Sequence, residues 1–140
     1  MPSRRRRVLA ALTVAPLGLT GLAVLAPSAS AASPDLVISE AYGGGGNSRA
    51  TLRSDFVELA NRGQADVDLT GWTLRYYSAS GTTQQTTSLS GQVVAGGRYL
   101  VKQADGANTS LPALPTPDAT GTVPMSSSGA RVEIGDDGSL

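Results

Sequence analysis

The sequence predicts an all-β fold, two sheets packed face to face as a sandwich. Three observations carry this. Apolar residues recur at every second position in short runs, the period of a strand with one buried face. Among 140 residues, 17 glycines and 8 prolines punctuate those runs, supplying the reversals that many short strands need. About seven such runs, with turn signals between them, fall in the roughly 105 residues of a domain assigned to 35–140, which is the density a sandwich requires.

Residues 1–31 read as a signal peptide rather than as part of that domain. Arg4, Arg5, Arg6 and Arg7 form a positive n-region, residues 8–25 an apolar stretch, and Ala29-Ser30-Ala31 an A-x-A cleavage site, which puts the mature start near Ala32. The competing reading is an uncleaved membrane anchor. Against it, the apolar stretch is marginal in length for a bilayer, and Pro16, Gly18 and Gly21 interrupt it. The paired arginines leave general secretory and twin-arginine export both open, since Arg7 stands where the twin-arginine motif wants an apolar residue. The expected product is secreted, with no membrane contact after cleavage. Without the four arginines, seven Lys and Arg face eleven Asp and Glu. DNA binding is not expected from so acidic a segment, because gripping phosphates needs a basic patch.

From Asp35 the elements follow in order. Leu36 and Ile38 alternate with Val37 and Ser39, giving a first strand up to Tyr42. Residues 43–46 are four glycines, followed by Asn47 and Ser48; they read as a surface loop, because glycine loses too much backbone entropy in a regular element. A phosphate cradle is the alternative, but neither Gly-Lys-Ser/Thr nor a helical pattern follows. In residues 55–77, Val57 and Leu59 are read as alternating with Asp55, Glu58 and Ala60. Asn61-Arg62-Gly63 carries turn chemistry, and Val67 and Leu69 then alternate with Asp66 and Asp68. After Gly71, the residues Trp72, Leu74 and Tyr76 alternate with Thr73, Arg75 and Tyr77. Three short strands in one stretch read as a meander. Trp72, the single tryptophan, is expected at the centre of the core rather than as an exposed ligand platform. On that placement, Trp72→Ala costs roughly 3–5 kcal/mol.

Residues 78–88 are rich in Ser, Thr, Gln and Gly and read as a long polar hairpin loop with ragged strand ends. Leu89, Val93 and Val94 lead into a turn at Ala95-Gly96-Gly97, and Arg98-Tyr99-Leu100-Val101-Lys102 makes a further strand. Residues 103–124 carry Pro112, Pro115, Pro117 and Pro124, so an irregular connection or a sheet edge is expected there. Residues 131–134 alternate charged and apolar side chains, and Asp136-Asp137-Gly138 is a hairpin-turn signal close to the last residue, Leu140. The expectation is a fragment whose closing strand is missing, leaving the edge of residues 131–134 unpaired. The predicted core comprises Ile38, Val57, Leu59, Leu69, Trp72, Leu74, Tyr76, Tyr99, Val101, Val132 and Ile134.

Composition also limits the chemistry. With no cysteine and no histidine, the chain lacks disulfides, thiolate metal sites, the commonest general base and every Ser-His or Cys-His nucleophile pair. The remaining acid–base candidates are Glu40, Asp55, Glu58, Asp66, Asp68, Asp118, Asp136 and Asp137. Glu40 and Glu58, on adjacent strands, can approach each other, and paired carboxylates run glycoside hydrolysis or hold Ca²⁺ or Mg²⁺. No cation-loop spacing and no catalytic lysine constellation accompanies them, so they read as solvated or turn-stabilising groups. No catalytic, cofactor-binding or metal residue is assigned, and no small-molecule substrate.

Four pieces in this order and spacing, I-S-E-A-Y from Ile38, D-F-V-E-L-A-N-R-G from Asp55, V-D-L-T-G-W-T-L from Val67 and V-A-G-G-R-Y-L-V from Val94, resemble the lamin-tail domain of secreted bacterial proteins. The resemblance implies an immunoglobulin-like β-sandwich that is usually an accessory module. In bacteria such modules often accompany exported nucleases or phosphatases of the endonuclease/exonuclease/phosphatase type, or cell-surface proteins. Two functions follow as expectations. The chain is a non-catalytic interaction module that tethers or orients a partner, or binds an extracellular polymer or protein, through loops at one end such as residues 43–53 and 78–87. The alternative is the N-terminal appendage of a secreted nuclease or phosphohydrolase whose catalytic domain lies downstream.

Overall fold

The computed structural model describes residues 35–82 and 84–136; the signal-peptide segment and the Asp137-Gly138 turn lie outside the described residues. Among the described residues there are nine strands and no helix. They are β1 (Leu36–Tyr42), β2 (Ser54–Asn61), β3 (Val67–Asp68), β4 (Trp72–Ser78), β5 (Gln84–Ser88), β6 (Gln92–Val93), β7 (Arg98–Asp105), β8 (Ala119–Thr120) and β9 (Ala130–Asp136). One sheet runs β1-β2-β7-β8, a second β5-β4-β9, and β3 pairs with β6 alone. All pairs are antiparallel except β7 with β8. The inward faces of the two larger sheets share one core of Leu36, Val57, Leu59, Tyr99 and Val101 with Leu74 and Tyr76, to which Leu69, Leu89, Val93, Val123 and Met125 add from the connections.

The expected meander does not exist. The strands β2, β3 and β4 enter three different sheets. The reason is Asn61, 2 % exposed. Its Nδ2 donates to the carbonyls of Ala65, Val93 and Val94, at 2.8, 3.0 and 3.2 Å, while its Oδ1 accepts from Gly63 N at 2.9 Å. These bonds turn the chain out of the β2 sheet and hold β3 beside β6. The strand β2 also departs from one-sided burial, since every residue in it except Glu58 is buried. On its second face Phe56 is covered by the stacked ring of Tyr42, 5.3 Å between centroids.

Trp72 is not the centre of the core. It is half-buried and packs against the cluster from outside, as do Ile38, Val132 and Ile134. Trp72 opens β4 immediately after a tight turn in which its N–H bonds Leu69 O at 2.9 Å, so its ring lies at the end of the sheet. Leu69, Leu74 and Tyr76 fill the interior beside it. The long polar loop is also shorter than expected, because residues 84–88 form β5. A strand of Gln, Thr and Ser shows no apolar alternation. Its inward residue, Thr87, is buried by bonding Gln103 Nε2 at 3.0 Å, and Gln103 Oε1 accepts from Val123 N at 3.1 Å. This buried pair ties β5 in one sheet to β7 in the other without a cross-link.

The proline-bearing segment behaves as its composition requires. It is irregular between β7 and β9 except for the two residues of β8, which lie on a sheet edge. The strand β9 pairs with β4 over seven residues, from Trp72 with Asp136 to Ser78 with Ala130. Among the described residues no strand lies on its other side.

Candidate functional site at the loop-bearing end

The registers bring the ends of six strands together. Tyr42 faces Phe56 and Ser54 faces Asp105 in one sheet; Tyr77 faces Gln84 and Ser78 faces Ala130 in the other. The loops at residues 43–53 and 78–82 leave the same end of the sandwich, and residues 125–129 pass between them, Ser127 against Gly44 and Gly129 against Ala79.

Asp55 holds this arrangement. It is 4 % exposed, and its two carboxylate oxygens accept from Gly45 N at 2.7 Å and Met125 N at 2.6 Å. One side chain thus fastens the glycine run of the first loop and the start of the 125–129 segment to β2. Asp55 shares the parity of Val57 and Leu59 and points inward with them rather than alternating against them, and of the two expectations for the carboxylates, solvated or turn-stabilising, it meets the second. Tyr76 adds a second anchor, its hydroxyl accepting from Ser126 N at 3.0 Å, and Gly44 N bonds Met125 O at 2.9 Å.

The four glycines are not a plain surface loop, since Gly45 and Gly46 are buried. A Cβ on Gly46 would stand 2.5 Å from the Gly106 Cα, and one on Gly44 2.6 Å from the Ser127 Cβ. Both residues also hold positive φ, 69° and 77°. Close backbone approach on both sides of the loop therefore requires glycine.

Two open clefts flank the serine run 126–128. The first, of about 550 Å³, is walled by Tyr77, Ser78, Ser80, Gly129 and Arg131. The second, of about 490 Å³, is walled by Tyr42, Gly44, Asn47, Ser48, Arg49 and Ser127. No carboxylate lines either. In the first, the Arg131 guanidinium lies over the Tyr77 ring at 4.1 Å, and its Nε is 3.1 Å from Glu133 Oε1. In the second, the Tyr42 hydroxyl accepts from Thr51 N at 3.0 Å. Hydrogen bonds from the Thr51 side chain and amide hold the Tyr42 phenol below its ordinary pKa.

Several of the remaining described carboxylates are hydrogen-bonded or ion-paired. Glu40 and Glu58 are register partners on β1 and β2, as adjacent strands allow. Glu58, however, accepts from Ser39 Oγ at 2.7 Å and pairs with Arg98. The Ser39 hydrogen bond first, then Arg98, holds its carboxyl below the usual carboxylate range. Asp105 is likewise lowered, by Ser54 Oγ at 2.5 Å and then by Lys102, whose Nζ is 2.9 Å away. Asp66 caps Ala95 N and Asp68 caps Thr70 N, both at 2.8 Å, and Asp118 Oδ2 accepts from Leu100 N at 2.7 Å. Among the described residues no group of three or more metal-ligating side chains forms.

Fold and site together define an all-β sandwich that concentrates loops and open, polar clefts at one end, the form of a binding module. The lamin tail domain family model matches residues 29–138, and the chain belongs to that family. The family is an immunoglobulin-like domain, often a non-catalytic interaction module, and the all-β, multi-sheet architecture agrees with it. Comparison with curated proteins gives no significant match.

Proposed function

We propose that this chain is a secreted, non-catalytic interaction module of bacterial type, which binds an extracellular polymer or protein through its loop-bearing end and so tethers or orients a partner. A catalytic domain in the same polypeptide is one such partner. The observation that carries the reading is the convergence of the loops at 43–53, 78–82 and 125–129 on two clefts lined by hydroxyl, amide and guanidinium groups and by no carboxylate. Rigid strands presenting variable loops at one end are the usual way a sandwich recognises a partner.

The test uses the full chain with isolated bacterial cell-wall material, and separately with DNA, phosphoester and glycoside substrates in the presence of Mg²⁺ or Ca²⁺. Co-sedimentation with the wall material is expected, without turnover of any substrate. Substitutions in the loops at 43–53 and 78–82 weaken sedimentation, whereas Asp68→Ala at the opposite end leaves it unchanged. Metal-dependent hydrolysis by the purified chain overturns the reading.

A further inference from the structure

We infer that the two clefts form a single site for an anionic polysaccharide, with Arg49 and Arg131 each binding one of its acidic groups and the serine run between them accepting the intervening sugar. The inference rests on the interaction-module reading and adds the ligand class.

Charge distribution points this way. The mature chain is net acidic, yet each cleft is lined by one arginine and no carboxylate. Turns at the other end of the sandwich hold several acidic residues, while Asp55 and Asp105 lie at the loop-bearing end and Glu133 pairs with Arg131. Asp35 meets Arg62 N through its carbonyl, Asp66 and Asp68 hold turns beside β3, and Asp136 pairs with Trp72 at the far end of β4. What a polyanion meets in each cleft is therefore the local arginine rather than the net charge of the chain.

Arginine geometry narrows the ligand. Stacking on Tyr77 and the Nε contact to Glu133 fix the plane of the Arg131 guanidinium, while its side chain stays 62 % exposed. Its terminal nitrogens are thereby pre-set as a fork, the shape that binds carboxylate or phosphate through two parallel bonds. Arg49 is exposed at the wall of the second cleft. Two cations separated by a ridge suit a polymer with widely spaced charges. Duplex DNA, with a charge roughly every 1.7 Å of axis, calls for a dense basic stripe. Between the arginines, Ser126, Ser127 and Ser128 offer hydroxyls that match a sugar's own donors and acceptors. Ser126 Oγ and Ser128 Oγ stand 3.2 Å apart, and the segment is anchored from below by Asp55 and Tyr76. The Tyr77 ring is covered by Arg131, so recognition of a neutral sugar by stacking is not what the first cleft offers.

The test measures binding of the full chain to immobilised polygalacturonic acid, poly(glycerol phosphate), dextran and a duplex DNA oligonucleotide, at low and high salt. Binding to one or both of the first two is expected, weakened by salt, with no binding to dextran; the preferred probe tells carboxylate from phosphate. Arg49→Ala, which removes a side chain from an open wall, weakens binding about ten-fold without changing the melting temperature. Arg131→Lys keeps the charge and loses the fork, and weakens binding by a similar factor. Binding by both variants as tight as that of wild type, or tighter binding to DNA than to either acidic polymer, overturns the inference. Binding to neutral wall polymer that persists in both variants also overturns it while leaving the module reading intact, whereas hydrolysis of a substrate removes the module reading itself.

Discussion

Removing the Asp55 carboxylate should do more damage than any other single change at the loop-bearing end. Its two oxygens accept from Gly45 N and Met125 N at 2.7 and 2.6 Å, in a site where Asp55 is 4 % and Met125 7 % exposed. Hydrogen bonds to a charged group contribute about 1.5–3 kcal/mol each, and a buried donor left unpaired costs a similar amount. The carboxylate's own desolvation offsets part of this, so Asp55→Ala should cost about 3–5 kcal/mol. Asp55→Asn keeps the volume but sets an amino group against one of the two N–H donors, and about 2–3 kcal/mol is expected from one lost bond and one donor left facing a donor. Urea denaturation followed by circular dichroism reads both values from the shift in midpoint at unchanged slope. Hydrogen exchange locates the effect, since the amides of Gly45 and Met125 should lose protection before those of β2 and β7. If both variants unfold within about 1 kcal/mol of wild type and both amides stay protected, Asp55 does not hold the loops, and the account of how the clefts are shaped is wrong.

Trp72→Ala should destabilise by about 1.5–3 kcal/mol, short of a fully buried indole, because the ring packs on the rim of the core; a loss above about 4 kcal/mol, read by chemical denaturation, would return it to the centre. Gln103→Ala strands Val123 N and the Thr87 hydroxyl and should cost about 2–4 kcal/mol, with Thr87→Val in the same background adding little, since the pair acts as one unit. For pH, Glu58 and Asp105 are held below their ordinary values by Ser39 and Ser54 respectively. A depressed carboxyl contributes stability present above its unfolded pKa and lost as pH falls through the folded one. Melting temperature should therefore decline on acidification below about pH 4, and Ser39→Ala should flatten that decline; an unchanged acid limb counts against the Ser39 bond. Burial raises the Tyr99 phenol, whose hydroxyl donates to Ser90 O at 2.6 Å. Stability from this group is present below the ordinary tyrosine value and lost as pH rises through the raised one, so Tyr99→Phe should soften the alkaline limb in a melting series above pH 10.

How much of this molecule could be read before folding is decided by the range over which each signal acts. Strand type is local. Period-two alternation at Val57, Leu59, Leu74 and Tyr76 follows from the pleat, and the order of four short motifs was enough for the family. Partner choice is not local. Asn61, read as a turn former, does hold the turn through Gly63 N, and it also bonds Val93 and Val94, more than thirty residues away. Nothing in the neighbourhood of Asn61 says that these carbonyls will need a donor. The strand β5 was invisible because polar residues carry no burial signal until Gln103 arrives from the other sheet to satisfy Thr87.

At the loop-bearing end the same division holds. The sequence by itself determined that the chain would be all-β, without histidine or cysteine chemistry, and it marked residues 43–53 and 78–87 as candidate recognition loops, the second of which the strand at 84–88 shortens. Tertiary structure decided that residues 125–129 lie between those loops, that Asp55 holds them, and that Arg49 and Arg131 face two clefts on either side of one serine ridge. Alternation is set by the geometry of a single strand, whereas the clefts arise from contacts between segments up to seventy residues apart, and no short stretch of sequence contains both halves of such a contact.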